Sequence, residues 1–179
     1  FVMLGTPNMG AFSTVGLLMG RDKTIKQLEA LDFSHNMKEI LSIVSRFPGG
    51  LELLPRDKNA ELYEFDIWQK IRKYESKAAW ADGAKTRLAE ADKIWRTLEA
   101  TPLTGNLAYV AGASNDLTPS AIRFEPEKNK VTILGTRRGD GRVTYATGIP
   151  PGVPAWYAEA AHGDLARHEN SFDAYHDIL

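Results

Sequence analysis

The sequence contains no cysteine among its 179 residues. That removes a disulfide framework and any thiolate metal centre, although it leaves the compartment open, with the cytoplasm the default expectation. Long apolar runs are missing as well. The longest fall far short of the roughly 20 residues needed to cross a bilayer, so the chain is expected to be soluble. Charge of one sign is not in excess either: 22 basic and 23 acidic side chains give a formal net charge of −1. Spread along the chain, they make no electrostatic case for nucleic acid or for an anionic membrane. No Gly-x-Gly-x-x-Gly opens a helix after a strand, which sets aside a nucleotide-binding domain. No Gly-x-Ser-x-Gly occurs, the turn on which many hydrolytic α/β enzymes carry their serine. The first residue, Phe1, stands inside an apolar run with no initiating Met or basic stretch before it, unlike a signal peptide.

What is present is enough apolar side chain, 43% of the residues, to bury one core. Phe1 to Leu4, closed by Gly5-Thr6-Pro7-Asn8, reads as a buried strand running into a turn. A buried strand needs neighbours on both sides, and the next strand-like run, Leu107 to Ala111, is far along the chain. The start therefore reads as a cut through a sheet, and its open edge invites pairing with another chain or with a second copy.

The region between is helical. Met37, Ile40, Leu41 and Val44 keep a helical spacing after an Asn36-x-x-Glu39 capping pattern, and Pro48-Gly49-Gly50 is expected to end that helix. Ile67, Ile71 and Tyr74 mark a second helix. The longest is expected from an N-cap at Asp82, with Trp80, Ala84, Leu88, Ala91, Trp95 and Leu98 as its apolar stripe and Pro102 as its end. Trp68, Trp80 and Trp95 read as core by default, the sharper idea being that some line an apolar cleft under a movable cap. From Asn106 the pattern turns to strands. Ala121 to Glu125 and Lys130 to Leu134, separated by Pro126-Glu-Lys-Asn129, read as an antiparallel hairpin. Val153 to Ala160 reads as a last strand and Ser171 to Leu179 as a terminal helix.

Two Gly-flanked polar residues carry the chemistry. Asp140 lies in Gly139-Asp140-Gly141, and His162 in Ala161-His162-Gly163 directly after the Val153 to Ala160 strand. Acyl transfer on a serine needs a base within hydrogen-bond reach of the hydroxyl and a carboxylate that holds the imidazole in one tautomer. The order acid, strand, histidine places both at neighbouring ends of one sheet. Asp116, after the Leu107 to Ala111 strand, competes for the acid role. Asp164 reads as a cap or loop brace. His162 and Asp164 together resemble an H-x-D metal pair, but with no third ligand cluster in the sequence no metal or cofactor is expected. His35, His168 and His176 read as surface residues.

Phe1-Val-Met-Leu-Gly-Thr-Pro-Asn-Met-Gly10, Gly139-Asp-Gly-Arg-Val143, Pro150-Pro-Gly-Val-Pro-Ala-Trp-Tyr157 and Ala161-His-Gly-Asp-Leu165, in this order, resemble the C-terminal half of lipase-like α/β-hydrolases related to the lecithin:cholesterol acyltransferases. The resemblance implies an α/β fold: the C-terminal part of a mostly parallel hydrolase sheet with a hairpin insertion, from residues 1–10 and 101–179, and a helical cap over 11–100. It implies Asp140 as acid and His162 as base, acting on an ester or related acyl substrate. The nucleophile and oxyanion donors would then come from the N-terminal half of the same enzyme, and this segment alone would be inert. The family often has Thr-Val-Pro after Gly-Asp-Gly where this chain has Arg142-Val143-Thr144, and a small or polar residue where it has Met9. The alternative reading is a non-catalytic interaction domain on the same scaffold.

Overall fold

The computed structural model describes residues 1–56, 61–75, 78, 80 and 83–179. Three parallel strands form the main sheet: β1 (Val2–Leu4), β2 (Ala108–Gly112) and β5 (Ala155–Ala158), in the order β1-β2-β5. Val2 pairs with Ala108 and Leu4 with Val110, while Tyr109 pairs with Ala155 and Gly112 with Ala158. Every residue of β2 is buried, as a central parallel strand requires. Its side chains alternate between two clusters. Tyr109 and Ala111 join Met3 on one face, and Val110 joins Ala158, Ala160 and Leu165 on the other. Tyr175 and Ile178 of the terminal helix α8 (Phe172–Ile178) pack against that second face. Among the described residues no strand pairs with the outer edge of β1.

Between β1 and β2 the chain forms α1 (Phe12–Leu18), α2 (Lys23–Leu31), α3 (Met37–Val44), α4 (Pro48–Glu52), α5 (Phe65–Tyr74) and α6 (Ala84–Glu99). The expected capping box starts α3: Asn36 accepts from the backbone of Lys38 and Glu39, and Glu39 accepts from the backbone of Asn36. Helix α3 stops before Pro48 as expected. Pro48 is not simply a terminator, however, because it occupies the first turn of α4, where its missing N–H costs nothing. The expected Asp82 cap lies outside the described residues. Helix α6 starts after Gly83, whose φ is +78°. Ala84, Leu88, Ala91 and Trp95 are buried along α6, but Leu98 is exposed, so the apolar stripe ends one turn early.

Strands β3 (Thr118–Glu125) and β4 (Lys130–Thr136) form the expected hairpin, with Asn129 left-handed at the turn. The hairpin does not extend the parallel sheet. It turns Val131, Ile122, Phe124 and Ile133 onto the helices, where they share one core with Phe12, Val15, Met19, Trp68 and Ile71. A short helix α7 (Tyr145–Gly148) precedes β5, which is shorter than the expected run. Among the described residues no helix is long and apolar enough to cross a membrane.

Candidate active site

All three parallel strands end on one side, which is where α/β sheets expose working side chains. Strand β2 ends at Gly112. A Cβ there would stand 2.5 Å from the Ala160 carbonyl oxygen and 2.7 Å from the Asp140 Cβ, so the acid loop rests directly on the strand end. That loop closes on itself. The Asp140 N–H donates to Val143 O at 3.2 Å, Gly139 bridges to Thr144, and Gly141 adopts φ +91°. Thr118 of β3, fully buried, accepts from the Gly141 N–H at 2.8 Å and ties the loop to the hairpin.

Inside this loop the Asp140 carboxylate is buried and fully engaged. Its Oδ1 accepts from the backbone of Arg142 at 2.9 Å and of Val143 at 2.7 Å, and its Oδ2 faces the His162 Nδ1 at 2.9 Å. Backbone pairing reinforces the contact, since the His162 N–H donates to Asp140 O at 2.8 Å. A carboxylate with both oxygens accepting leaves one role for Nδ1, that of donor. Nδ1 therefore carries a proton, and Nε2 is the nitrogen left to exchange one. Among the described residues nothing bonds Nε2. The ring is about a third exposed while the carboxylate is almost wholly covered, 34% against 3%. The pair is thus braced on its acid side and open on its base side.

Gly5 forms the back wall. Its φ is +59°, and a Cβ would meet Leu165 Cδ1 at 2.8 Å, Asp140 Oδ2 at 3.0 Å and His162 Nδ1 at 3.1 Å. Only a residue without a side chain lets β1 turn away that close to the pair. The same turn is fastened by Asn8, whose amide donates to Gly148 O at 2.7 Å, and by Tyr109, whose hydroxyl donates to Thr6 O at 2.9 Å. Burial, joined by the Asp140 charge, pushes the Tyr109 phenol well above its usual range and keeps it a neutral donor. The sequence marked Gly5 as a turn residue only; its place behind the pair comes from residues far away along the chain.

His162 opens onto two clefts. The larger, about 500 Å³, is lined by Arg21, Asp22, Lys23, Ser114, Asp116, Leu117, Pro119 and Ile133 as well as by Asp140 and His162. The smaller, about 190 Å³, is lined by Pro7, Ala11, Thr14, Leu17, Leu53 and Val143. Ser13, Arg142 and His162 belong to both. Neither Ser13 nor Ser114 hydrogen-bonds to His162; Ser114 Oγ instead accepts from the Asp116 N–H at 3.1 Å.

The other sequence candidates lie elsewhere. Asp116 is exposed on the rim of the larger cleft and makes no bond to His162. Asp164 pairs with Arg167, inside the turn that follows His162, so it braces that turn and does not cap a helix. Gly163 has open space around it and no left-handed dihedral, so the histidine loop does not need it as the acid loop needs Gly141. His35 pairs with Asp32, and His168 with Ser171. Among the described residues no group of three or more His, Asp and Glu is placed to hold a metal ion. Trp68 and Trp95 are core residues whose indole N–H groups donate to Leu62 O and Glu52 O, and Trp80 packs against Trp68 with the rings tilted by 45°. None of the three lines the clefts beside His162. No protein-family model, no curated protein and no solved structure matches the chain.

Proposed function

We propose that Asp140 and His162 are the acid and base of a lipase-like serine hydrolase or acyltransferase on an α/β-hydrolase scaffold, acting on an ester or related acyl substrate. The nucleophilic serine and the oxyanion donors are assigned to a segment N-terminal to Phe1. One observation carries this reading: the His162 Nδ1 rests on a buried, doubly braced carboxylate at 2.9 Å while the partly exposed ring lines a cleft and its Nε2 has no partner among the described residues. In the reaction, Nε2 takes the serine proton as Oγ attacks the acyl carbon. The imidazolium, held by Asp140, then gives that proton to the departing alcohol. Water or a second alcohol repeats the sequence on the acyl-enzyme. The outer edge of β1, with which no strand pairs among the described residues, supports the companion proposal that this edge takes a strand of the nucleophile-bearing half or of a second copy.

A second reading, an interaction domain that uses this scaffold without catalysis, is favoured by the lack of any hydroxyl bonded to Nε2 among the described residues. Ester hydrolysis by the full-length protein separates the two. The catalytic reading expects turnover that falls at least about a thousandfold in His162→Ala. A partner bound by a full-length protein that cleaves no ester would support the second reading.

A further inference from the structure

Of the backbone N–H groups of residues 140–143, that of Asp140 donates to Val143 O, and those of Arg142 and Val143 donate to Asp140 Oδ1. These three bonds close the acid loop on itself. Only the Gly141 N–H leaves the loop, donating to Thr118 Oγ1 at 2.8 Å. The main chain before the turn is held by the Ser114 and His162 N–H groups, which donate to Gly139 O and Asp140 O. At the turn itself the Thr118 hydroxyl takes over. The fit is close, since a Cβ on Gly139 would stand 2.7 Å from Thr118 Oγ1 and 2.9 Å from Thr118 Cβ. Thr118 is itself well anchored. It starts β3, where it pairs with Thr136 of β4, and the hairpin packs on the helices through Ile122, Phe124, Val131 and Ile133. Its neighbours Leu117 and Pro119 line the larger cleft, while the alternation of a strand turns the fully buried Thr118 the other way. It lines neither cleft beside His162.

We infer that Thr118 is a positioning residue for the Asp140–His162 pair, aiming the acid through the Gly141 N–H without touching substrate. Its consequence for rate rests on the acyl-transfer reading of the pair; the bracing does not. The two N–H groups on Oδ1 set the plane of the Asp140 carboxylate, and so the direction in which Oδ2 meets the His162 Nδ1. Both belong to the turn that Thr118 holds. Without the hydroxyl the Gly141 N–H loses its acceptor, and the turn is free to rotate toward water. The Arg142 and Val143 N–H groups then move with it, and Oδ2 swings off the imidazole. What the role requires is a hydroxyl at this Cβ, which serine supplies and valine, of the same shape as threonine, does not.

The test compares the full-length protein with Thr118→Val and Thr118→Ser in three measurements: hydrolysis of p-nitrophenyl butyrate, the ring nitrogen NMR shifts of His162, and amide exchange at Gly141. Thr118→Val is expected to lower kcat by about tenfold to a hundredfold and to change KM by less than about twofold, because a misplaced base slows the chemistry and spares binding. In mildly alkaline solution its His162 should show both tautomers where the wild type shows the proton on Nδ1 alone. The Gly141 amide should exchange at least about tenfold faster. Thr118→Ser should restore all three. A folded Thr118→Val protein with a lower unfolding midpoint but wild-type kcat and tautomer overturns the proposal and leaves the catalytic reading standing. A tautomer change in Thr118→Val that Thr118→Ser reverses, in a protein that cleaves no ester, would sink the catalytic reading and keep the bracing. If Thr118→Val does not fold, the wild type decides: a Gly141 amide that exchanges as fast as one in an unstructured peptide overturns the proposal, and a protected one, with kcat kept in Thr118→Ser, upholds it.

Discussion

Gly5→Ala tests whether the back wall of the Asp140–His162 pair matters as its geometry says. Two costs arise. A non-glycine residue at φ +59° pays roughly 1–2 kcal/mol for the left-handed conformation. The new methyl also stands 2.8 Å from Leu165 Cδ1, with Asp140 Oδ2 and His162 Nδ1 at 3.0 and 3.1 Å. Leu165 is fully buried and its Cδ1 must shift to admit the methyl, so overpacking adds up to about 1–3 kcal/mol. If the imidazole yields instead, its displacement of up to about 1 Å costs up to about a hundredfold in rate. Gly152 supplies the control. It has φ +77° and nothing within 4 Å of a Cβ, so Gly152→Ala carries the conformational cost alone. Urea unfolding and ester hydrolysis are measured on both variants of the full-length protein. Gly5→Ala is expected to lose about 1–3 kcal/mol more than Gly152→Ala, and it alone should lose activity. Equal losses of stability with equal activity would refute the placement of Gly5 behind the pair.

Three further outcomes are expected. Asp140→Asn keeps the size of the side chain but favours the wrong imidazole tautomer, so kcat should fall by about ten-thousandfold while the unfolding midpoint moves far less than it does in Gly5→Ala. The Glu125 carboxyl, held down to about 2 first by the Thr132 hydroxyl and then by Lys128, should titrate there by NMR and move back toward its ordinary 4.5 in Thr132→Val. Because its folded value is depressed, whatever it contributes to stability is present above pH 4.5 and is lost as pH falls toward 2. Trp68 and Trp95, bonded within the core and away from both clefts, should keep their emission unchanged when an ester or its product acid binds.

Local and periodic features of this molecule could be read directly from the sequence. The capping box at Asn36 and Glu39 involves four consecutive residues, and the hairpin around Pro126 is written in its turn residues. The pairing of Asp140 with His162 was legible from chain order, since a single strand separates them and its end fixes where the histidine emerges. What stayed hidden depends on distant contacts. Thr118 supports the acid loop from a strand 23 residues earlier, and Gly5 backs the pair from more than a hundred residues away. The hairpin gave no sign that it packs on the helices, because an alternating apolar face fits a sheet or a helix bundle equally well. The tryptophans show the same ambiguity: helical spacing says that one face is buried, not whether it meets core or ligand.

Reaction of the full-length protein with a fluorophosphonate, with the labelled residue mapped by mass spectrometry, tests most directly whether Asp140 and His162 serve a serine. Label is expected on one serine N-terminal to Phe1, lost in His162→Ala while the protein stays folded. A folded full-length protein that takes no label, or one that labels equally well without His162, would contradict it.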